Sequence, residues 1–125
     1  MGKRKTTEAE FESIARNAGF TVEPGKSIRI QKPVLDKNGI RRKTVATPDF
    51  FITEPDSNQS FHVEVTDSSG DTPHKSAQKQ VVISAGIKNY AVITGNHIKE
   101  LQEIISPSEQ KELLLHFFHL ALLNY

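Results

Sequence analysis

A glutamate inside an otherwise apolar β-like run constrains this chain more than any other feature. The stretch from Thr47 to Thr66, TPDFFITEPDSNQSFHVEVT, holds two strand-like segments, Asp49–Thr53 and Ser60–Thr66. They flank a polar loop containing Glu54, Pro55, Asp56, Ser57 and Asn58, the pattern of a hairpin. Side chains alternate along a strand, so His62, Glu64 and Thr66 share one face while Phe61, Val63 and Val65 share the other. A carboxylate among buried apolar neighbours is expensive without compensating charge. A divalent cation would supply that charge, and so would an ion pair with Arg29, Lys43 or Lys79. Asp49, directly after Pro48 at the mouth of the first segment, reads as an ordinary turn residue.

The flanking chain reads as support for this hairpin. Phe11, Ile14, Ala15 and Ala18 recur at helical spacing, and Gly19 is a stop signal, which predicts a helix from Thr7 to Ala18. Thr7 with Glu10 three residues on has the form of a capping box. Ser27–Val34 and Ile40–Ala46 alternate across the turn Asp36-Lys37-Asn38-Gly39 and predict a second hairpin. After a polar loop from Asp67 to Pro73, a helix is expected from His74 until Gly86 stops it. The short run Tyr90–Thr94, YAVIT, has the composition of a central strand covered on both faces. A helix beginning at Gly95-Asn96 follows, and Ser106-Pro107-Ser108-Glu109 is a strong start for the last helix. That helix is apolar almost all round, so burial on two sides is expected, with a second copy of the chain as the simplest partner. His116 and His119, three apart on it, have a spacing seen in metal sites but no carboxylates beside them, so packing is expected.

Charge is divided unevenly. Residues 1–43 carry eleven of the sixteen Lys and Arg against five acids, a local charge of +6, while the remainder carries −5. Much of the basic excess falls on the second hairpin, at Lys26, Arg29, Lys32, Lys37, Arg41, Arg42 and Lys43. A two-stranded ribbon of cations suits a phosphate backbone; it also suits an edge hairpin kept soluble by charge. The absence of cysteine excludes disulfides and thiolate metal sites. The opening MGKRKTTEAE lacks the apolar core of a signal peptide, and no apolar run reaches membrane-spanning length. An intracellular protein, cytoplasmic or nucleoid-associated, with no membrane partner is therefore expected.

The order helix, strands, helix, strand, with Phe11-Glu12, Pro48-Asp49, Glu64-Val65-Thr66 and Gln78-Lys79 on successive elements, resembles the PD-(D/E)XK phosphodiesterase superfamily. This superfamily includes restriction endonucleases and Holliday-junction resolvases, and the correspondence runs from about Thr7 to Thr94. The resemblance implies an α/β fold with a restriction endonuclease-like core: a mixed central sheet flanked by helices, here with an apolar C-terminal helix appended. It divides the chain into a flexible basic N-terminus (1–6), a nuclease core (7–105) and a C-terminal helix available as a dimer interface (106–125).

The resemblance further implies that Asp49, Glu64 and the Val65 carbonyl bind Mg²⁺ or Mn²⁺ through hard oxygen ligands, with Glu12 as an accessory acid. Such an ion activates water and neutralises charge on the phosphate. The family's lysine, two residues after the glutamate, is Thr66 here, so Lys79 or Lys75 on the following helix is expected to supply the cation. Gln78 would orient a water or a phosphate. Arg29, Arg41, Arg42, Lys43, Lys75 and Gln78 would contact nucleic acid. The function this implies is a metal-dependent DNA endonuclease, on branched or phage-type DNA, acting as a homodimer. A catalytically lapsed nucleic-acid-binding or assembly module on the same fold is the alternative, and a protein-interaction subunit that binds no DNA is a third reading.

Overall fold

A computed structural model describes residues 6–35, 39, 42–67 and 73–123, the side chains of 6, 73–76 and 121–123 excepted. The basic tip, the turn at 36–38, residues 40–41 (Arg41 among them) and most of the loop expected from Asp67 to Pro73 lie outside the described residues. The chain is α/β, in the order α1 (Thr6–Asn17), β1 (Thr21–Pro24), β2 (Ile28–Leu35), β3 (Arg42–Ala46), β4 (Phe50–Glu54), β5 (Gln59–Thr66), α2 (Pro73–Ser84), β6 (Tyr90–Thr94), α3 (Gly95–Gln102) and α4 (Pro107–Leu123).

Four strands form a mixed sheet in the order β1-β4-β5-β6, antiparallel through β5 and then parallel between β5 and β6. The parallel step requires a crossover, which α2 supplies. Phe50, Ile52, Phe61, Val63, Val65, Ala91 and Ile93 point to one face and meet the apolar stripes of α1, α3 and α4. Phe118 anchors that layer, its ring 4.6 Å from Phe61 and 6.1 Å from Phe20. On the other face Val81 and Val82 of α2 pack with Tyr90 of β6 and with Ile28 and Ala46 of the β2–β3 ribbon. The ribbon is a separate two-stranded sheet laid over α2, so its inner side is apolar while Arg29, Lys32 and Arg42 are exposed.

Several local expectations change. The strand β1 was not legible, since its four residues bury only Val22 and end in Pro24. The ribbon is not a regular hairpin: pairing is Arg29↔Val45 on one side of an irregularity and Val34↔Lys43 on the other. Pro33, which has no N–H to donate, lies within the shifted stretch. Thr7 does not cap α1. It lies within the first turn, and its hydroxyl donates to Asp67 Oδ1 just past β5. Gly19 does stop α1: at φ 98° it sits in a Schellman turn, with Phe20 N donating to Ala15 O and Gly19 N to Arg16 O.

The helices at the C-terminal end follow their caps. Thr94 and His97 form a reciprocal box at α3, in which Thr94 N donates to His97 Nδ1 (3.0 Å) and His97 N to Thr94 Oγ1 (3.4 Å). Ser106 receives the Glu109 amide at α4. Within the single chain, the described part of α4 buries one side, through Gln110, Leu114, Phe117 and Phe118, and exposes Glu112, His116, His119 and Leu120. Two-sided burial is thus not met inside the chain, because polar residues occupy the outer positions. No described helix is long and apolar enough to cross a membrane.

Candidate functional site

The β4–β5 hairpin has an open end, and both sequence-predicted acids lie there. The last paired rung is Phe50↔Val63, so Asp49 stands one position further, across from Glu64. Pro48 is fully buried and fixes the entry of the strand. Beyond Phe50 the β4 backbone no longer serves the β5 ladder, and the Val65 amide needs another acceptor. Asp49 provides it: its Oδ2 accepts the Val65 N–H at 2.8 Å. The carboxylate of the Pro-Asp pair is thereby fixed against the middle residue of Glu64-Val65-Thr66. A strand residue presents its N–H and C=O on the same edge, so the Val65 carbonyl leaves β5 on the Asp49 side as well.

A second clamp acts on Asp49 from β1. The Gly25 amide donates to the Asp49 carbonyl at 3.1 Å, continuing the β1–β4 pairing by one residue. The approach is so close that a Cβ on Gly25 would lie 1.6 Å from the Pro48 carbonyl oxygen and 3.1 Å from the Asp49 carbonyl carbon. Only glycine fits there, because the obstructing atoms are backbone. Asp49 is therefore held on both strand edges by backbone N–H groups, through its carbonyl on one side and its carboxylate on the other.

The face carrying these acids is a polar ladder. Thr53 and Ser60 share a hydroxyl–hydroxyl hydrogen bond of 3.2 Å, Phe51 and His62 form the next rung, and Asp49 with Glu64 continues it. His62 is buried, its ring edge-on to Phe51 at 5.0 Å, and its Nδ1 has no hydrogen-bond partner. Burial, and then the positive charge of Lys26, push its pKa below the ordinary imidazole value. Glu64 is buried too, at 4 % exposure, beside Val92 of β6. Thr66 ends the ladder, half-buried next to Thr94.

The other predicted residues are placed variously. Gln78 is the residue α2 turns inward, buried and donating to the Tyr90 hydroxyl at 3.3 Å, while Lys79 is exposed. The Lys75 side chain and Arg41 lie outside the described residues. Arg29 and Arg42 are exposed on the ribbon and Lys43 is half-buried there. An open cleft of about 560 Å³ runs between the shifted stretch of β2, including Arg29 and Lys32, and Ser84-Ala85 at the end of α2. Glu12 pairs with Arg16 one turn on, at 3.0 Å, from a helix on the opposite face of the sheet.

Sequence reasoning missed Gly25 and Lys26. Gly25 is 24 positions from Asp49, so only the register of a strand that was itself illegible brings them together. Lys26 appeared as one ribbon cation among several. Its Nζ in fact sits 3.9 Å over the centre of the Phe51 ring, on the sheet face that carries the acids.

Among the described residues, no three His, Cys, Asp or Glu side chains gather into a metal-holding group. Two carboxylates and one carbonyl are nevertheless a donor set that suits Mg²⁺, which keeps several waters and needs few protein ligands. No known protein family, characterised protein or solved structure matches the chain.

Proposed function

We propose that the chain is a divalent-metal-dependent nuclease that hydrolyses DNA phosphodiester bonds at the open end of the β4–β5 hairpin. The observation that carries this reading is the Val65 N–H to Asp49 Oδ2 hydrogen bond, which draws the Pro-Asp acid onto the Glu64-Val65 segment. The strand order, three antiparallel strands followed by a parallel one reached through a helix, supports the restriction endonuclease-like reading of the core.

Asp49, Glu64 and the Val65 carbonyl would hold Mg²⁺ or Mn²⁺. The ion, when bound, supplies charge neutralisation at the phosphate and acidifies water. The chain's own residues orient the ligands: Val65 N–H fixes the Asp49 carboxylate, and Gly25 fixes its backbone. In the reaction a water oxygen bonds to phosphorus as the P–O ester bond breaks. The water loses one proton, and the departing oxygen gains one. The ribbon packs over α2, and its Arg29, Arg42 and Lys43 would serve as phosphate contacts. A homodimer would bring a second site to the second strand.

One observation favours the lapsed, DNA-binding alternative: Thr66 stands where a lysine would sit and carries no charge. Cleavage decides between the two. Supercoiled, linear and four-way-junction DNA, incubated with Mg²⁺ or Mn²⁺, are cut by the nuclease and left intact in the chelator control. Salt-dependent binding with no cutting under any metal selects the lapsed module. Cutting that survives both Asp49→Ala and Glu64→Ala sinks the site assignment.

A further inference from the structure

We propose that Lys26 is the cation of this site: its ammonium leaves the Phe51 ring and contacts the non-bridging oxygens of a phosphodiester held at Asp49 and Glu64. The proposal rests on the nuclease reading and names the residue that would stand in for Thr66.

Three observations place Lys26 there. Its Nζ lies 3.9 Å over Phe51, whose cross-strand partner is His62. Asp49 and Glu64 are the next rung on the same face, about 7 Å along the strands at ~3.4 Å per residue. Its backbone is anchored as well, because Lys26 follows Gly25, whose amide is bonded to the Asp49 carbonyl at 3.1 Å. The Lys26 side chain therefore starts one residue beyond the one bonded to Asp49.

The chemistry of the contact favours release. Lys26 is exposed, and its ammonium rests on the Phe51 ring. A cation–π contact at an exposed site is weak, so it keeps the ammonium on this face without locking it. A phosphodiester anion offers a full charge instead, and the flexible lysine stem can follow it. A cation at phosphate oxygens where negative charge develops acts on the chemical step rather than on uniform binding.

The test compares wild type, Lys26→Ala, Lys26→Arg and the double variant Lys26→Ala/Thr66→Lys, with Lys99→Ala as a surface-charge control. Lys26→Ala is expected to lower the cleavage rate at saturating DNA about 100-fold, the scale for removing one charge-stabilising donor. The Mn²⁺ concentration giving half-maximal rate and the thermal midpoint stay where they are in wild type. Lys26→Arg retains part of the rate, and Thr66→Lys restores it in the double variant, which a merely structural lysine would not permit. A second readout needs no turnover: in wild type with Ca²⁺ and a short duplex, the Phe51 ring proton signals shift as the ammonium departs, and in Lys26→Ala they do not respond. Full cleavage by Lys26→Ala in a chain whose wild type cuts DNA overturns this proposal alone. A wild type that cuts nothing overturns the nuclease reading and this proposal with it.

Discussion

The two ends of the β4–β5 hairpin both hold carboxylates, and the groups described around them differ. At the turn end Glu54 is 3 % exposed and saturated: it accepts the Asp56 and Ser57 amides and the Ser57 hydroxyl, and Lys111 of α4 lies 2.7 Å from its Oε1. Lys111 first, then the Ser57 hydroxyl and amide, lower its pKa to about 2. At the open end Lys26, on the acid face, rests on an aromatic ring. There two backbone groups hold Asp49, Gly25 N–H on one edge and Val65 N–H on the other. The turn end is built as a clasp. The open end is built to hold carboxylate oxygens in position while leaving a lysine movable.

Removing an acid from the open end gives the largest effect. Asp49→Ala or Glu64→Ala should reduce metal-dependent cleavage by about 10³-fold or more, as expected when a ligand to a catalytic ion is lost. Glu54→Ala should leave the rate per folded molecule unchanged and lower only the denaturation midpoint. Rate measurements on plasmid nicking, paired with urea unfolding, separate the two outcomes.

Gly25→Ala comes next. The added methyl meets backbone atoms, so the Pro48–Asp49 peptide has to move, at a cost of about 1–3 kcal/mol of stability. Because Asp49 moves with it, Mn²⁺ affinity should fall about tenfold or more, as for loss of a group that orients a metal ligand. Calorimetric titration and urea denaturation measure the two effects. Unchanged affinity in a folded variant would detach Gly25 from the site.

The turn-end clasp has a pH signature. The folded pKa of Glu54 lies below its ordinary value of 4.5, so the unfolded chain takes up the proton first as pH falls. Its contribution is complete above pH 4.5 and is lost between 4.5 and about 2. Lys111→Met removes the largest cause and should shrink the loss of stability seen between those pH values, an effect read from thermal midpoints across an acid series. A smaller effect belongs to the ribbon. Arg42→Ala should reduce the slope of log DNA affinity against log salt by roughly 1, the signature of one phosphate contact.

What was legible in the sequence was local. Alternation gave the hairpin and the shared face of His62, Glu64 and Thr66, and the Ser106 cap gave the start of α4. The resemblance named Asp49 and Glu64 together, and the register of the folded hairpin sets one across from the other. What was hidden depends on contacts distant in sequence. The strand β1 carries one buried apolar side chain, so no periodicity marks it, and with it went the closeness of Gly25 to Pro48 and the position of Lys26. Pro33 in the ribbon hinted at its shifted pairing, but composition alone read as a plain hairpin. On the last helix Glu112, His116 and His119, at i, i+4 and i+7, form an exposed polar stripe that the surrounding apolar residues obscured in the sequence.

The central claim is that the open end of the hairpin holds a divalent ion between Asp49 and Glu64. Mn²⁺ titration followed by amide NMR tests it most directly. One site per chain, with paramagnetic broadening centred on the Val65 and Asp49 amides and abolished by Asp49→Asn or Glu64→Gln, is the predicted result. Broadening centred elsewhere, or binding that both substitutions leave intact, would contradict it.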